Sequence, residues 1–243
     1  MFGTSHCLEK IDIVVLAGGQ GTRIRDAIGD TPKLLATVGD IPFLELLISR
    51  LKHFGARRVV LALGHLAEKI LVYLDANPPD GIQIVTTVEP EPLGTAGSIR
   101  FSRAQINTNP VMVMNGDSFF AADLCKFVSA HKASDQEASI LCASVEDTAR
   151  FGRLDISDDS RVQAFLEKNT ERSGPGVINA GGYLFSTDML NTISCMPGSS
   201  LERDIFEKLP SGMLGAIIGE GTFIDIGTPD DLVRAASLLE PYI

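Results

Sequence analysis

Ile11-Asp-Ile-Val-Val-Leu-Ala-Gly-Gly-Gln-Gly-Thr-Arg23, followed by Thr31-Pro-Lys33, decides the fold of this chain. An apolar run of strand length feeds into a loop with three glycines in four positions, Gly18, Gly19 and Gly21. Such a loop lets backbone N–H groups converge on an anion with no Cβ in the way, and its place behind a strand marks it as a phosphate cradle. The spelling is neither that of a P-loop, which needs Lys-Ser/Thr after the glycines, nor Gly-x-Gly-x-x-Gly. Arg23 lies two residues after the last glycine and Lys33 ten beyond Arg23. Two cations therefore reach toward whatever phosphates the loop holds.

Outward from the loop, β-loop-α units repeat. Apolar residues at helical spacing over 43–55, closed by Gly55, predict a helix, as do 67–74 and 124–132, the last capped by Asp123. Near-continuous apolar runs at 58–63, 83–88 and 111–115 predict buried strands, the last ending in Asn115-Gly-Asp117. Such strands alternating with helices imply a parallel sheet covered on both faces, a Rossmann-like doubly wound α/β architecture with ligands at the carboxyl ends of the strands. From residue 136 the pattern changes. A core strand over 138–145 is followed by short runs at 152–156, 162–167 and 177–185, which predict antiparallel strands added to the sheet edge. Residues 170–176 are turn-rich and are expected to form a mobile loop, and 200–209 reads as a short helix. A strand ending at Asp225 precedes a last helix with Pro229 early and Asp230 and Asp231 in its first turn, both assigned to the helix dipole. The expectation is one domain over 1–243, with a half at 11–135 and a second at 136–243, in a mixed, mostly parallel sheet.

Composition narrows the partners. Twenty-one Lys and Arg stand against 31 Asp and Glu, a net charge of −10, which argues against nucleic acid or an anionic membrane as partner. Cys7, Cys125, Cys142 and Cys195 have no C-x-x-C spacing and no ligand pattern with the four histidines. Reduced cysteines and a cytoplasmic location are the expectation. No apolar run approaches the roughly 18 residues of a membrane span, and residues 1–10 read as a frayed lead-in.

Leu16-Ala-Gly-Gly-x-Gly-Thr-Arg23 with Pro32-Lys33 resembles the signature of the sugar-1-phosphate nucleotidyltransferases, enzymes of GT-A-like fold that join an NTP and a sugar 1-phosphate into an NDP-sugar and pyrophosphate. Pro92-Leu-Gly-Thr-Ala-Gly97 brings it nearest to the short guanylyltransferases acting on D-glycero-D-manno-heptose 1-phosphate or mannose 1-phosphate. The resemblance implies that Leu16, Ala17, Gly18, Gly19, Gly21, Thr22, Gly94 and Thr95 bind the nucleotide. Arg23 would hold the leaving phosphates and Lys33 the α-phosphoryl group. Asp117 and Asp225 would hold Mg²⁺, an antiparallel sugar-binding extension would supply Gly152, Glu167, Lys168, Asn179 and Gly181, and a homodimer is compatible with all of this. Glu89 stands where relatives reading a pyrimidine carry Gln. A carboxylate only accepts hydrogen bonds and guanine offers adjacent donors at N1 and N2, so Glu89 favours GTP. Cytidylyl or uridylyl transfer to another phosphorylated sugar or alcohol stays open at this point, as does a non-catalytic module that binds nucleotide sugars.

Overall fold

Ile13, Val14 and Val15 are at most 1% exposed; apolar on both faces, β1 (Ile13–Ala17) can only lie inside a sheet. The computed structural model describes residues 6–166 and 174–242. After β1 come α1 (Arg25–Ile28), β2 (Thr37–Val38), β3 (Ile41–Pro42), α2 (Phe43–His53), β4 (Arg58–Leu63), α3 (Ala67–Ala76) and β5 (Gln83–Val88). Then follow α4 (Gly94–Ser102), β6 (Val111–Asn115), β7 (Ser118–Phe120), α5 (Leu124–Ala133), β8 (Ala138–Val145), β9 (Arg153–Ile156) and β10 (Val162–Leu166). The chain ends with β11 (Gly176–Phe185), α6 (Thr187–Cys195), β12 (Leu214–Gly219), β13 (Phe223–Asp225) and α7 (Pro229–Leu238).

Seven strands form one sheet in the order β12-β8-β11-β6-β1-β4-β5. Neighbours run parallel except β11, which is antiparallel to both β6 and β8. Side chains alternate across it. Ile13, Val15, Val59 and Leu61 face a core shared with Phe43, Leu47, Phe127 and Ala235, whereas Val14, Val60, Val113 and Ile140 face one shared with Ile99, Leu190 and Phe206. Helices α2, α5 and α7 thus cover one face and α4 and α6 the other, the doubly wound arrangement the sequence predicts. Placing β1 beside both β4 and β6 puts a reversal of strand order at its carboxyl end, where such sheets bind ligands.

Three expectations need correcting. The antiparallel strands are not appended at the edge: β11 is inserted between β8 and β6, pairing with both, and its run from Ala180 to Phe185 is buried. β9 and β10 stand apart from the main sheet as a two-stranded ribbon with alternating exposure. Second, residues 6–10 are tied down. Leu8 is fully buried and its N–H bonds the Phe54 carbonyl, and Cys7 forms a disulfide with Cys125 at the start of α5, 118 positions away. Cys142 and Cys195 are the free thiols. A separation that long leaves no trace in local spacing, so the expectation of four reduced cysteines fails on a tertiary contact. Third, 200–209 is a π-helical turn (Leu201–Ile205) running into a 3₁₀ turn (Phe206–Lys208). Asp123 caps α5 as expected, accepting from the N–H of Cys125 at 2.8 Å and of Lys126 at 3.2 Å. The segment 170–173 of the expected loop lies outside the described residues. No helix among the described residues is long and apolar enough to cross a membrane.

Candidate active site

The glycine loop leaves β1 at the carboxyl end of the sheet. Gly18 is needed for close approach: a Cβ there would sit 2.9 Å from Glu89 Oε2, at the end of β5. Buried Pro32 delivers Lys33 onto a short 3₁₀ turn, Lys33–Leu35, and its stem packs against Gly21. Lys33 Nζ donates to Asp117 Oδ2 at 3.0 Å. Leu16, Ala17, Gly19, Lys33 and Asp117 together line a small cleft of about 50 Å³.

Asp225 comes from the other half of the chain. β13 pairs antiparallel with β7, which sets Asp225 opposite Ser118 and beside Asp117. Burial, and then the charge of Asp117, push the Asp225 carboxyl above its usual range, opposed by Lys33, by the Gly227 N–H and by Arg23. Among the described residues its buried Oδ1 meets no donor in hydrogen-bonding geometry. Arg23 reaches the same strand end: a Cβ on Gly227 would lie 3.3 Å from its Nη2. The sequence-predicted charged residues Arg23, Lys33, Asp117 and Asp225, spread over more than 200 positions of sequence, are thus brought together.

Glu89 is 7% exposed. Its carboxylate accepts from the Ser98 hydroxyl through Oε1 and from the Leu93 N–H at 3.2 Å through Oε2, so it braces the turn that starts α4. A carboxylate has about four acceptor sites, leaving capacity beyond these two bonds. Gly94 and Thr95 face the segment 199–201: a Cβ on Gly94 would strike the Ser199 carbonyl at 2.6 Å, and Thr95 Oγ1 accepts from the Leu201 N–H at 2.7 Å.

Beyond Asp225 a cavity of about 500 Å³ opens, lined by Arg23, Asn115, Arg150, Phe151, Gly152, Arg153, Asn179, Glu202, Arg203 and Asp225, among others. Gly152, Asn179 and Asp225 were expected there; Glu167 and Lys168 lie outside the described residues. Gly181 holds φ +74 where β11 is bulged. Asn179 bonds within its own strand, Oδ1 accepting from the Gly181 N–H at 2.9 Å and Nδ2 donating to Tyr183 Oη at 2.8 Å. The phenol in turn donates to Glu202 Oε1 at 3.0 Å, and burial, aided by Glu202, holds it protonated far above its usual range.

Sequence reasoning missed Arg150, Glu202, Arg203 and Asn115 as lining residues. Asp231 also exceeds its assigned role as a helix-dipole acid: it is 2% exposed and holds Arg150 through both carboxylate oxygens. Pairing lowers the Asp231 carboxyl below its usual range and raises Arg150, Asp231's hydrogen bond being the largest cause. The dipole explains an exposed Asp230; for Asp231, two positions after Pro229, tertiary pairing dominates.

Among the described residues, no cluster of three or more His, Cys, Asp or Glu is placed to hold a metal ion; the candidate set is the pair Asp117 and Asp225.

The nucleotidyl transferase family matches residues 12–241. The D-glycero-α-D-manno-heptose 1-phosphate guanylyltransferase of Aneurinibacillus thermoaerophilus is 33% identical over 96% of this chain and 100% of its own. The mannose-1-phosphate guanylyltransferase of Mycobacterium tuberculosis is 31% identical over 94% of this chain and 64% of its own. Among solved structures, HddC from Yersinia pseudotuberculosis superposes with a TM-score of 0.83 at 34% identity, covering 93% of this chain and 98% of that one. A second crystal structure of HddC is complexed with GMP-PN.

Proposed function

The chain belongs to the nucleotidyl transferase family, and from that premise we propose that it makes a GDP-sugar and pyrophosphate from GTP and a manno-configured sugar 1-phosphate, a heptose or mannose. The observation that carries the reading is the strand-end cluster of Lys33, Asp117 and Asp225, set between the glycine loop and an arginine-lined cavity. Relatives covering most of the chain are guanylyltransferases acting on these two sugar phosphates.

A sugar 1-phosphate is already an anionic nucleophile, so attack of its oxygen on the α-phosphorus needs alignment and charge neutralisation rather than a base. Gly18, Gly19 and Gly21, flanked by Leu16, Ala17 and Thr22, cradle the triphosphate. Arg23 takes the β- and γ-phosphates that leave as pyrophosphate, and Lys33 steadies the α-phosphoryl group. Glu89, with Gly94 and Thr95 in the turn it braces, accepts from guanine N1–H and N2–H. Gly152, Asn179 and Gly181 shape the sugar side, joined by Glu167 and Lys168. Asp117 and Asp225 fit a divalent cation: both are acceptors only, their charges repel, and one Asp225 oxygen is buried without a donor. Two carboxylates with substrate oxygens and water suit Mg²⁺, which would supply neutralisation of phosphoryl charge there.

Pyrophosphate release with Mg²⁺, crossing GTP, CTP, UTP, ATP and dTTP with mannose, heptose and glucose 1-phosphates, tests the reading. Release with GTP and a manno-configured acceptor supports it. Release only with a pyrimidine nucleotide keeps the enzyme class and overturns the role of Glu89; GTP binding with no release overturns the catalytic reading in favour of a binding module.

A further inference from the structure

We propose that Asn115 reads the C2 hydroxyl of the sugar 1-phosphate, a role that rests on the function proposed above and gives that site its selectivity for the manno configuration. Among the described residues, two buried side-chain oxygens have no hydrogen-bond partner, Asn115 Oδ1 and Asp225 Oδ1. Both residues line the same 500 Å³ cavity. A carboxylate oxygen there is suited to a cation. An amide carbonyl is neutral, and leaving it buried and unpaired costs the folded protein stability until a donor arrives. Hydroxyls are the donors that a sugar brings.

The other amide at the cavity is already committed. Asn179 spends its oxygen on Gly181 and its nitrogen on Tyr183, and Tyr183 passes the chain on to Glu202. That network locks the Asn179–Gly181 bulge, and the bulge presses on Asn115. A Cβ on Gly181 would sit 2.7 Å from Asn115 Nδ2 and 2.9 Å from its Cγ, so only glycine, at φ +74, lies flush against the amide. Packing thus orients Asn115 while its carbonyl stays free. Of the two amides, the one with an acceptor unspent among the described residues is Asn115.

Position selects the hydroxyl. Asn115 ends β6 two residues before Asp117, so their Cα atoms are within about 7 Å of each other. The sugar's C1 oxygen must sit at the Lys33–Asp117–Asp225 cluster for transfer to occur. C1 has two ring neighbours: O5, which carries no hydrogen, and C2, which carries a hydroxyl. The nearest hydroxyl to the phosphate is therefore the one at C2, whose configuration separates manno from gluco sugars.

The test is steady-state kinetics of pyrophosphate release with GTP and mannose 1-phosphate, its 2-deoxy analogue, and glucose 1-phosphate. Wild type is expected to lose roughly 10- to 100-fold in kcat/KM on removal of the C2 hydroxyl, the range of one hydrogen bond to a buried group. Asn115→Leu should lose a similar factor on mannose 1-phosphate, leave KM for GTP unchanged, and shrink the 2-deoxy and glucose penalties to within about 3-fold, since the interaction is already gone. Asn115→Ala, which adds no bulk beneath Gly181, should do the same and serves if the leucine variant is unstable. Asn115→Asp keeps an acceptor and should keep the 2-deoxy penalty. Full 2-deoxy and glucose penalties in the folded Leu or Ala variants overturn the assignment while leaving the proposed function standing. A wild type that turns over no manno-configured sugar 1-phosphate overturns both.

Discussion

Removing the Asp231 carboxylate tests how the cavity is held to α7. Asp231 is 2% exposed and accepts three hydrogen bonds, from Arg150 Nη1 at 2.8 Å, from Arg150 Nη2 and from the Thr228 hydroxyl at 2.6 Å, beside a longer ion pair with Arg234 at 3.7 Å. Breaking a fully buried pair costs about 3–5 kcal/mol. That bound is too high here, because the Arg150 side chain is 47% exposed and is rehydrated once released. Two charge-assisted bonds of about 1.5–3 kcal/mol, discounted for that exposure, give roughly 2–3 kcal/mol for Asp231→Ala at pH 7. At about 2–4 °C per kcal/mol for a chain of this length, Tm falls by about 4–12 °C. The sign with pH follows from the depressed Asp231 carboxyl. Its stabilisation is fully present above the ordinary carboxylate value of about 3.9 and is lost as pH falls through the lower folded value. Urea titrations at pH 7, 5 and 3.5 should therefore show the gap between wild type and variant constant over the first two and narrowing at the third. A gap under about 0.5 kcal/mol at pH 7, or one that does not narrow in acid, refutes the reasoning. Arg150 lines the cavity, so the same variant should raise KM for the sugar phosphate and spare KM for GTP.

Lys33→Ala should leave GTP affinity nearly unchanged while cutting turnover by orders of magnitude, read by isothermal titration against kcat; equal loss of both would make Lys33 a ground-state binder. Reduction of the Cys7–Cys125 bond, or Cys125→Ser, should lower stability by at most about 4–5 kcal/mol, the chain-entropy value for closing a loop of some hundred residues, and a Tm indifferent to dithiothreitol would count against the bond. Asp225→Asn should raise the Tm of metal-free protein at pH 7, and an upward Tm shift with Mg²⁺ is expected of wild type and not of this variant. Its carboxyl is held high by burial and Asp117, so the charged form penalises the fold at neutral pH, and the penalty fades as pH falls through the raised folded value. A variant that is less stable than wild type without metal would contradict this.

Much of this fold could be read because its signals are local. An apolar run such as Ile13–Ala17 needs burial on both faces wherever it lies, and a glycine loop behind it can only sit at a strand end. Charged residues at strand ends were legible for the same reason, since Asp117 and Asp225 each close an apolar run, although the β7–β13 pairing that sets them side by side is a tertiary contact. What escaped was whatever depended on which segment meets which. Nothing in a run of short strands says that β11 enters the sheet interior while β9 and β10 leave it, and nothing in the spacing of Cys7 and Cys125 says that residues 6–10 pack on the start of α5.

The two asparagines carry that distinction into the site. Asn179 was legible because it stands in a glycine-rich sequence at the bulge of β11, and Asn115 was passed over because it closes an apolar run of regular strand. Yet glycine-rich sequence marks tight backbone, and tight backbone is where side-chain amides are consumed by nearby N–H groups; Asn179 Oδ1 is taken by the N–H two residues on. A regular strand gives its side chains no such local partner, since its N–H and C=O groups are occupied by the ladder. A polar residue at the end of a regular strand must find its partner in tertiary contacts or in a ligand, and among the described residues Asn115 Oδ1 has none of the first kind. A loop motif therefore identifies the wall of a pocket more readily than the group that reads what enters it.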